Sequence, residues 1–276
     1  MIYGIIDLGS NTIRLSLYKY ENGEIVLLLN KKTMAGIAGY VKDGRLSKEG
    51  IKVACKVLKQ YKDIINNFGL EKVFVFATAS LRNISNTDKA VMEIKEETGF
   101  VVDVVLGEVE AIFDFVGASK ALNIKQGIVF DIGGGSTEIL MHKNGEIIKA
   151  HSIPVGSLNM FSKYLKGIIP TREEVKTIKK EVIKYLKDIN GIDCSKTAYG
   201  VGGTTRNAGK LCARLFKEDM SYIKPENIKK IFDKLYKLPK KLADKILKIC
   251  PDRIHTIIPG LVILRTLINF YGIEEI

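Results

Sequence analysis

Two stretches of this chain are written to one plan. The segments IIDLGSNTIRLSLYKYENGEI (residues 5–25) and VFDIGGGSTEILMHKNGEI (residues 129–147) each run an apolar strand into Asp-x-Gly and turn through small residues. Each then continues along a second strand and reaches Asn-Gly-Glu before a third. Asn-Gly between apolar runs is a strong short-range hairpin signal, so each copy reads as a β-meander whose first turn is rich in glycine. Recurrence of turn and hairpin in the same order points to two related α/β domains facing each other.

The intervening sequence fills in the first domain. LSKEGIKVACKVLKQYKDIINNFG has helical periodicity and a glycine stop at Gly69, and EKVFVFATAS reads as an apolar strand ending in small polar residues. A helix near Asp88 to Thr98, a strand FVVDVVL and a helix opening at GEVEAIFDFVGASKAL follow. These assignments give a first domain over residues 1–123, a hinge at NIKQG and a second domain over residues 124–276. In the second domain, Thr-Arg-Glu-Glu from Thr171 is a capping box for a lysine-rich helix. TAYGVGGTTRNAGK again runs a strand into glycines and a helix start, and IIPGLVILRTLINF is an apolar last helix expected to pack back on the first domain.

Charge and composition narrow the class. Lys and Arg number 43 against 31 Asp and Glu, a net charge of +12 that favours a polyanionic partner. The lysine runs taken singly read as solvated helix faces, and no interleaving of aromatic with basic residues supports nucleic-acid binding. No apolar run is long enough to span a membrane, and the N-terminus carries no signal-peptide pattern, which implies a cytoplasmic protein. Cys55, Cys194, Cys212 and Cys250 lie far apart, and His142, His151 and His255 show no metal-ligand spacing. Buried free thiols and structural histidines are expected.

Adjacent glycines at a strand end cost conformational entropy and contribute nothing to a core, but they leave successive amide groups bare. Gly133, Gly134 and Gly135 with the Ser136 hydroxyl form one such phosphate cradle, and Gly9, Ser10 and Asn11 form its counterpart. Gly202, Gly203 and Thr204 form a third at the positive end of a helix. One such turn alone reads as a tight hairpin, whereas three, two of them preceded by Asp, imply phosphate-binding walls.

The two copies differ at one spacing. Seven residues after Asp7 stands Arg14, and seven after Asp131 stands Glu138. A guanidinium suits phosphate oxygens, and a carboxylate suits a hard cation or a water, so Asp131 and Glu138 form a candidate Mg²⁺ side. Spacing by itself fits surface salt bridges equally well.

DLGSNTIR, ATASLRN, GEVEA, DIGGGSTE and GVGGTTRNAGK occur in that order, and together they resemble the exopolyphosphatase/guanosine pentaphosphate phosphohydrolase family. That family belongs to the acetate and sugar kinase, chaperone ATPase and actin superfamily. The resemblance implies two ribonuclease-H-like α/β domains with an active site in the cleft between them, and it allows a homodimer. It implies that Glu110 is the base activating water, that Asp131 and Glu138 serve Mg²⁺ and the attacking water, and that Arg82 holds the terminal phosphate. Val109 stands where the family has a second glutamate, and His255 where an acidic residue is usual in the stretch matching PDRIHTIIPG. Longer members carry a C-terminal helical domain beyond the span of this sequence, which implies a short form acting on shorter chains or the alarmone.

The expected activity is Mg²⁺-dependent release of terminal phosphate from inorganic polyphosphate, with guanosine pentaphosphate as the alternative substrate. A kinase or ATPase of the same superfamily is a second reading, disfavoured by Glu110 and Arg82. A non-catalytic sensor of polyphosphate or alarmone is a third. Closure about NIKQG and the last helix is expected on ligand binding.

Overall fold

Strict alternation along TIRLSLYKYE buries Ile13, Leu15 and Leu17 on one face of a strand, and the first sheet is assembled around them. Strands β1 (Ile2–Leu8), β2 (Thr12–Glu21) and β3 (Glu24–Met34) form the first meander. Asn22 and Gly23, with φ of 51° and 83°, make its hairpin turn. A short pair, β4 (Val41–Lys42) and β5 (Arg45–Leu46), leads into helix α1 (Lys48–Ile65), capped by the Ser47 hydroxyl accepting from the Gly50 amide at 3.2 Å. Strand β6 (Lys72–Ala77), helices α2 (Ala79–Arg82) and α3 (Thr87–Thr98) and strand β7 (Asp103–Val104) complete the unit.

This computed structural model describes residues 1–189 and 196–276, and the chain divides into units Met1–Leu106 and Gly107–Ile276. In unit 1 the strand order is β3-β2-β1-β6-β7, with β1 parallel to β6 and antiparallel to β2. That is the expected ribonuclease-H-like topology. Leu58 and Tyr61 of α1 and Ile94 of α3 close the core against Ile6, Leu8 and Ile13. The strand expected over FVVDVVL pairs only at Asp103 and Val104, because Phe100 and Val102 pack into the core instead of extending the ladder.

Unit 2 opens with α4 (Gly107–Ala121), followed by the second meander, β8 (Gln126–Ile132), β9 (Thr137–Lys143) and β10 (Glu146–Ile153). Its Asn-Gly turn has φ of 55° and 87°, close to the first copy. Helices α5 (Ser157–Tyr164) and α6 (Arg172–Leu186) precede β11 (Ala198–Val201). Helices α7 (Gly202–Phe216), α8 (Pro225–Lys237), α9 (Pro239–Ile249) and α10 (Ile257–Tyr271) follow. The strand order among the described residues is β10-β9-β8-β11, the first four positions of the same plan.

One segment sits elsewhere than the sequence reading put it. Helix α4, assigned to a first domain ending at residue 123, packs Ala111 and Ala118 on Val129 and Leu140, so the division falls before Gly107. Helix α10 is apolar nearly all round and buries that surface in the core of unit 2. Leu261, Ile263, Leu264 and Leu267 are solvent-free there, in one cluster with α6, α7 and α8. The Thr171 capping box forms as read, with the Glu174 amide donating to the Thr171 hydroxyl at 3.2 Å and the Thr171 amide donating to Glu174 at 2.7 Å.

Cys55, Cys212 and Cys250 are buried free thiols, and Cys194 lies outside the described residues. His255 is exposed and rests on the Phe161 ring, 5.0 Å between centroids. Among the described residues no helix is long and apolar enough to cross a membrane.

Candidate active site

In unit 2, β8 and β11 run parallel, with Asp131 beside Val201, so both strands end at one edge of the sheet. From β8 the chain enters the turn Gly133 to Ser136, and from β11 it enters α7 at Gly202. Carboxyl ends of parallel strands are where open α/β sheets bind ligands.

The glycine turn is oriented by hydrogen bonds. The Gly133 amide donates to the Ser136 carbonyl at 3.0 Å. The Ser157 amide donates to the Gly133 carbonyl at 2.8 Å, and the Leu158 and Asn159 amides donate to the Gly134 carbonyl at 2.9 and 3.0 Å. Asn159 Nδ2 donates to the Gly135 carbonyl at 2.9 Å. With the carbonyls drawn onto the start of α5, the Gly134 and Gly135 amides remain without a described acceptor. Gly156 is required for this approach, since a Cβ there would overlap the backbone of Gly134. Two of the three glycine amides therefore have no described acceptor, with Gly134 half-buried and Gly135 buried beside Gly156, and that of Gly133 is spent within the turn.

Asp131 and Glu138 are directly opposite each other across β8 and β9. Glu138 is buried and accepts hydrogen bonds from Ser152 Oγ at 2.7 Å and from Ser136, so the Ser136 hydroxyl expected in the cradle is turned to this carboxyl. Burial, reinforced by the negative charge of Glu110, pushes Glu138 up to about 8, against the pull of those two hydroxyls. Burial and Glu110 likewise push Asp131 up to about 6, while Arg206 and Arg253 draw it down. Glu110, in the first turn of α4, thus shares its field with both carboxylates.

Gly202 has φ 75°, and a Cβ on it would fall on the Asp131 carboxylate, so glycine is demanded by backbone conformation and by space. Gly203 lies against the Arg253 guanidinium. Thr204 of the third cradle is buried, and its hydroxyl donates to the Ile132 carbonyl at 2.6 Å, locking α7 to the end of β8.

Asp131 Oδ1 is buried with no hydrogen-bond partner. A buried carboxylate oxygen without a donor is costly unless a cation meets it. Among the described residues no group of three or more His, Cys, Asp or Glu side chains forms a metal cage. Mg²⁺ uses one or two carboxylates and completes its shell with water and phosphate, so Asp131 and Glu138 fit that ion as hard oxygen donors.

Unit 1 repeats the construction at the ends of β1 and β6. The Gly9 amide donates to the Thr12 carbonyl at 3.0 Å, and the carbonyls of Ser10 and Asn11 accept amides of residues 35, 36 and 38 at 2.9 to 3.1 Å. The Ser10 and Asn11 amides are left without a described acceptor. Arg14 is directly opposite Asp7 on β2. Arg82 ends α2 and donates through Nη1 to the Val105 carbonyl at 2.9 Å, and α2 is tied to the end of β1 by Ser80 Oγ donating to the Leu8 carbonyl.

Arg206 and Arg253, both acting on Asp131, escaped the sequence reading. Arg206 was legible as a basic residue at the start of the second turn of α7, two positions after Thr204. Arg253 comes from a remote segment and is brought to the site by packing before α10.

A profile of the Ppx/GppA phosphatase family matches residues 17–276. A bifunctional 3-dehydroquinate synthase/phosphatase of Fusobacterium nucleatum is 29% identical over 97% of this chain, which spans 43% of that relative's length. The crystal structure of the Aquifex aeolicus Ppx/GppA family member is 27% identical, with a TM-score of 0.80 over 100% of this chain and 92% of that one. An exopolyphosphatase structure from Cytophaga hutchinsonii, 19% identical, shares the fold with a TM-score of 0.86 over 100% of this chain and 92% of that one.

Proposed function

The chain belongs to the Ppx/GppA phosphatase family, and from that premise we propose that it is a phosphoanhydride hydrolase releasing the terminal phosphate of inorganic polyphosphate. The observation that carries this reading is the convergence in unit 2 of the Gly134 and Gly135 amides, which have no described acceptor, with the carboxylates of Asp131, Glu138 and Glu110. Transfer of a phosphoryl group to water needs an oriented nucleophile and neutralised charge more than covalent chemistry. Amides suit the phosphate, and a carboxylate cluster suits the water.

In this reading Glu110 takes the proton of the attacking water. Glu138 orients that water, its own carboxyl held by Ser136 and Ser152. The Gly134 and Gly135 amides hold phosphate oxygens, and Arg253 and Arg206 balance negative charge beside Asp131. Arg82, Arg14 and the turn at Gly9, Ser10 and Asn11 are assigned phosphate contacts on the same reading. Mg²⁺, held by Asp131 and Glu138, would supply charge neutralisation for the phosphate oxygens. Guanosine pentaphosphate offers the same terminal phosphoanhydride and is the alternative substrate.

The test is phosphate release with Mg²⁺ from tripolyphosphate, long-chain polyphosphate and guanosine pentaphosphate in parallel, with Glu110→Gln as control. Release from polyphosphate that drops roughly 10²- to 10⁴-fold in the variant is expected. Release from guanosine pentaphosphate alone would reassign the substrate. No release from any of the three would overturn the hydrolase reading.

A further inference from the structure

A groove of about 510 Å³ opens on unit 2 between α7 and α9. Lys210 and Arg214 of α7, Lys245, Lys248 and Ile249 of α9, and Met220 line it. Four of these six are cations, all exposed, and no acidic residue lines the groove. None of the four forms a salt bridge with a described residue, although other lysines of the same unit do: Lys224 pairs with Glu218 at 2.9 Å, and Lys196 with Glu274. Four uncompensated like charges facing one groove repel each other and raise the local concentration of anions.

Arg206, one turn before the groove's Lys210, links the groove to the candidate active site along a single helix. Arg206, Lys210 and Arg214 recur every four residues, which puts them on one face of α7. At a rise of 1.5 Å per residue they cover about 12 Å of its length. Arg206 heads this stripe where its charge reaches Asp131. At the other side, burial pushes up the Cys250 thiol at the end of α9, while Lys210 of the groove and Arg253 of the site, opposed by Asp252, draw it down.

The lining also selects among polyanions. Single-stranded nucleic acid is held by aromatic side chains on which bases stack, and none lines this groove. A chain of phosphates without bases needs only spaced cations. We propose that the α7/α9 groove is a binding track for the distal phosphates of a linear inorganic polyphosphate, continuing along α7 from the turn that holds the terminal phosphate. The track gives the protein a preference for long chains, where the resemblance to short family members implied shorter ones, and it rests on the hydrolase reading for the choice of substrate.

Equilibrium binding of tripolyphosphate and of long-chain polyphosphate, measured by titration calorimetry without Mg²⁺ over a series of salt concentrations, tests this. In the double variant Lys245→Glu/Lys248→Glu, long-chain binding should weaken at least tenfold and its salt dependence should flatten. Tripolyphosphate binding and the melting temperature should hold. The milder Lys245→Ala/Lys248→Ala should give a smaller loss in the same direction. Equal loss for both ligands, or no loss for either, would overturn the track. Displacement of long-chain polyphosphate by a single-stranded RNA of equal charge at equal concentration would reassign the groove to nucleic acid. Because binding is read without turnover, chain-length-dependent binding in a protein that releases no phosphate would retain the track and sink the hydrolase reading. Turnover unaffected by the double variant would do the reverse.

Discussion

Gly202 and Asp131 share a space that any side chain at position 202 would close: a Cβ there would fall on the Asp131 carboxylate. The glycine at the head of α7 therefore sets the position of a carboxylate on the neighbouring strand, as well as the turn into its own helix.

Gly202→Ala follows directly. With φ at 75°, alanine meets a left-handed backbone costing about 1–2 kcal/mol, before any displacement of Asp131. A lower denaturation midpoint and loss of phosphate release are expected together. Full activity in this variant would show that the position of Asp131 is not needed.

Removal of metal should expose the buried carboxylates to linkage. Glu138 titrates at about 8 in the folded protein against an ordinary value of 4.5. A raised pKa means that folding favours the protonated form, so the contribution is fully present below about 4.5 and is lost as pH rises through about 8. In EDTA the melting temperature should decline across that window, and Glu138→Gln should flatten the decline. An equal slope in the variant would place the titration elsewhere.

Addition of Mg²⁺ should act in the opposite sense, because a cation favours the ionised carboxylates. At one hundred times its dissociation constant the ion stabilises by about 2.7 kcal/mol. Asp131→Asn, which neutralises the group whose Oδ1 has no donor, should abolish this increment in a thermal melt. Persistence of the increment would remove Asp131 from the proposed metal site.

Thr171→Ala separates stability from chemistry. It deletes the hydroxyl that accepts the Glu174 amide at 3.2 Å and should cost about 1 kcal/mol in denaturant unfolding. Phosphate release per folded molecule should stay at the wild-type level.

Much of this was readable along the chain, for local reasons. The two Asn-Gly turns, the opposed pairs Asp7 with Arg14 and Asp131 with Glu138, and the Thr171 capping box are all fixed by spacing within one hairpin or one helical turn. An antiparallel strand pair joined by a short turn leaves little freedom in which residues meet. Other assignments depended on partners remote in sequence. The Ser136 hydroxyl read as a phosphate ligand and Thr204 as part of a cradle, yet Glu138 takes the first hydroxyl and the Ile132 carbonyl the second, because buried hydroxyls are spent on the nearest polar group.

By itself, then, the sequence determined the two meanders, the glycine turns and the carboxylate pair, since each follows from backbone propensity and side-chain period. Tertiary structure alone decided that α4 closes the second sheet, that α10 is core, and that Arg253 stands beside Gly203 and Asp131. Those placements are set by which apolar surfaces bury together, a competition among distant segments that no local pattern records.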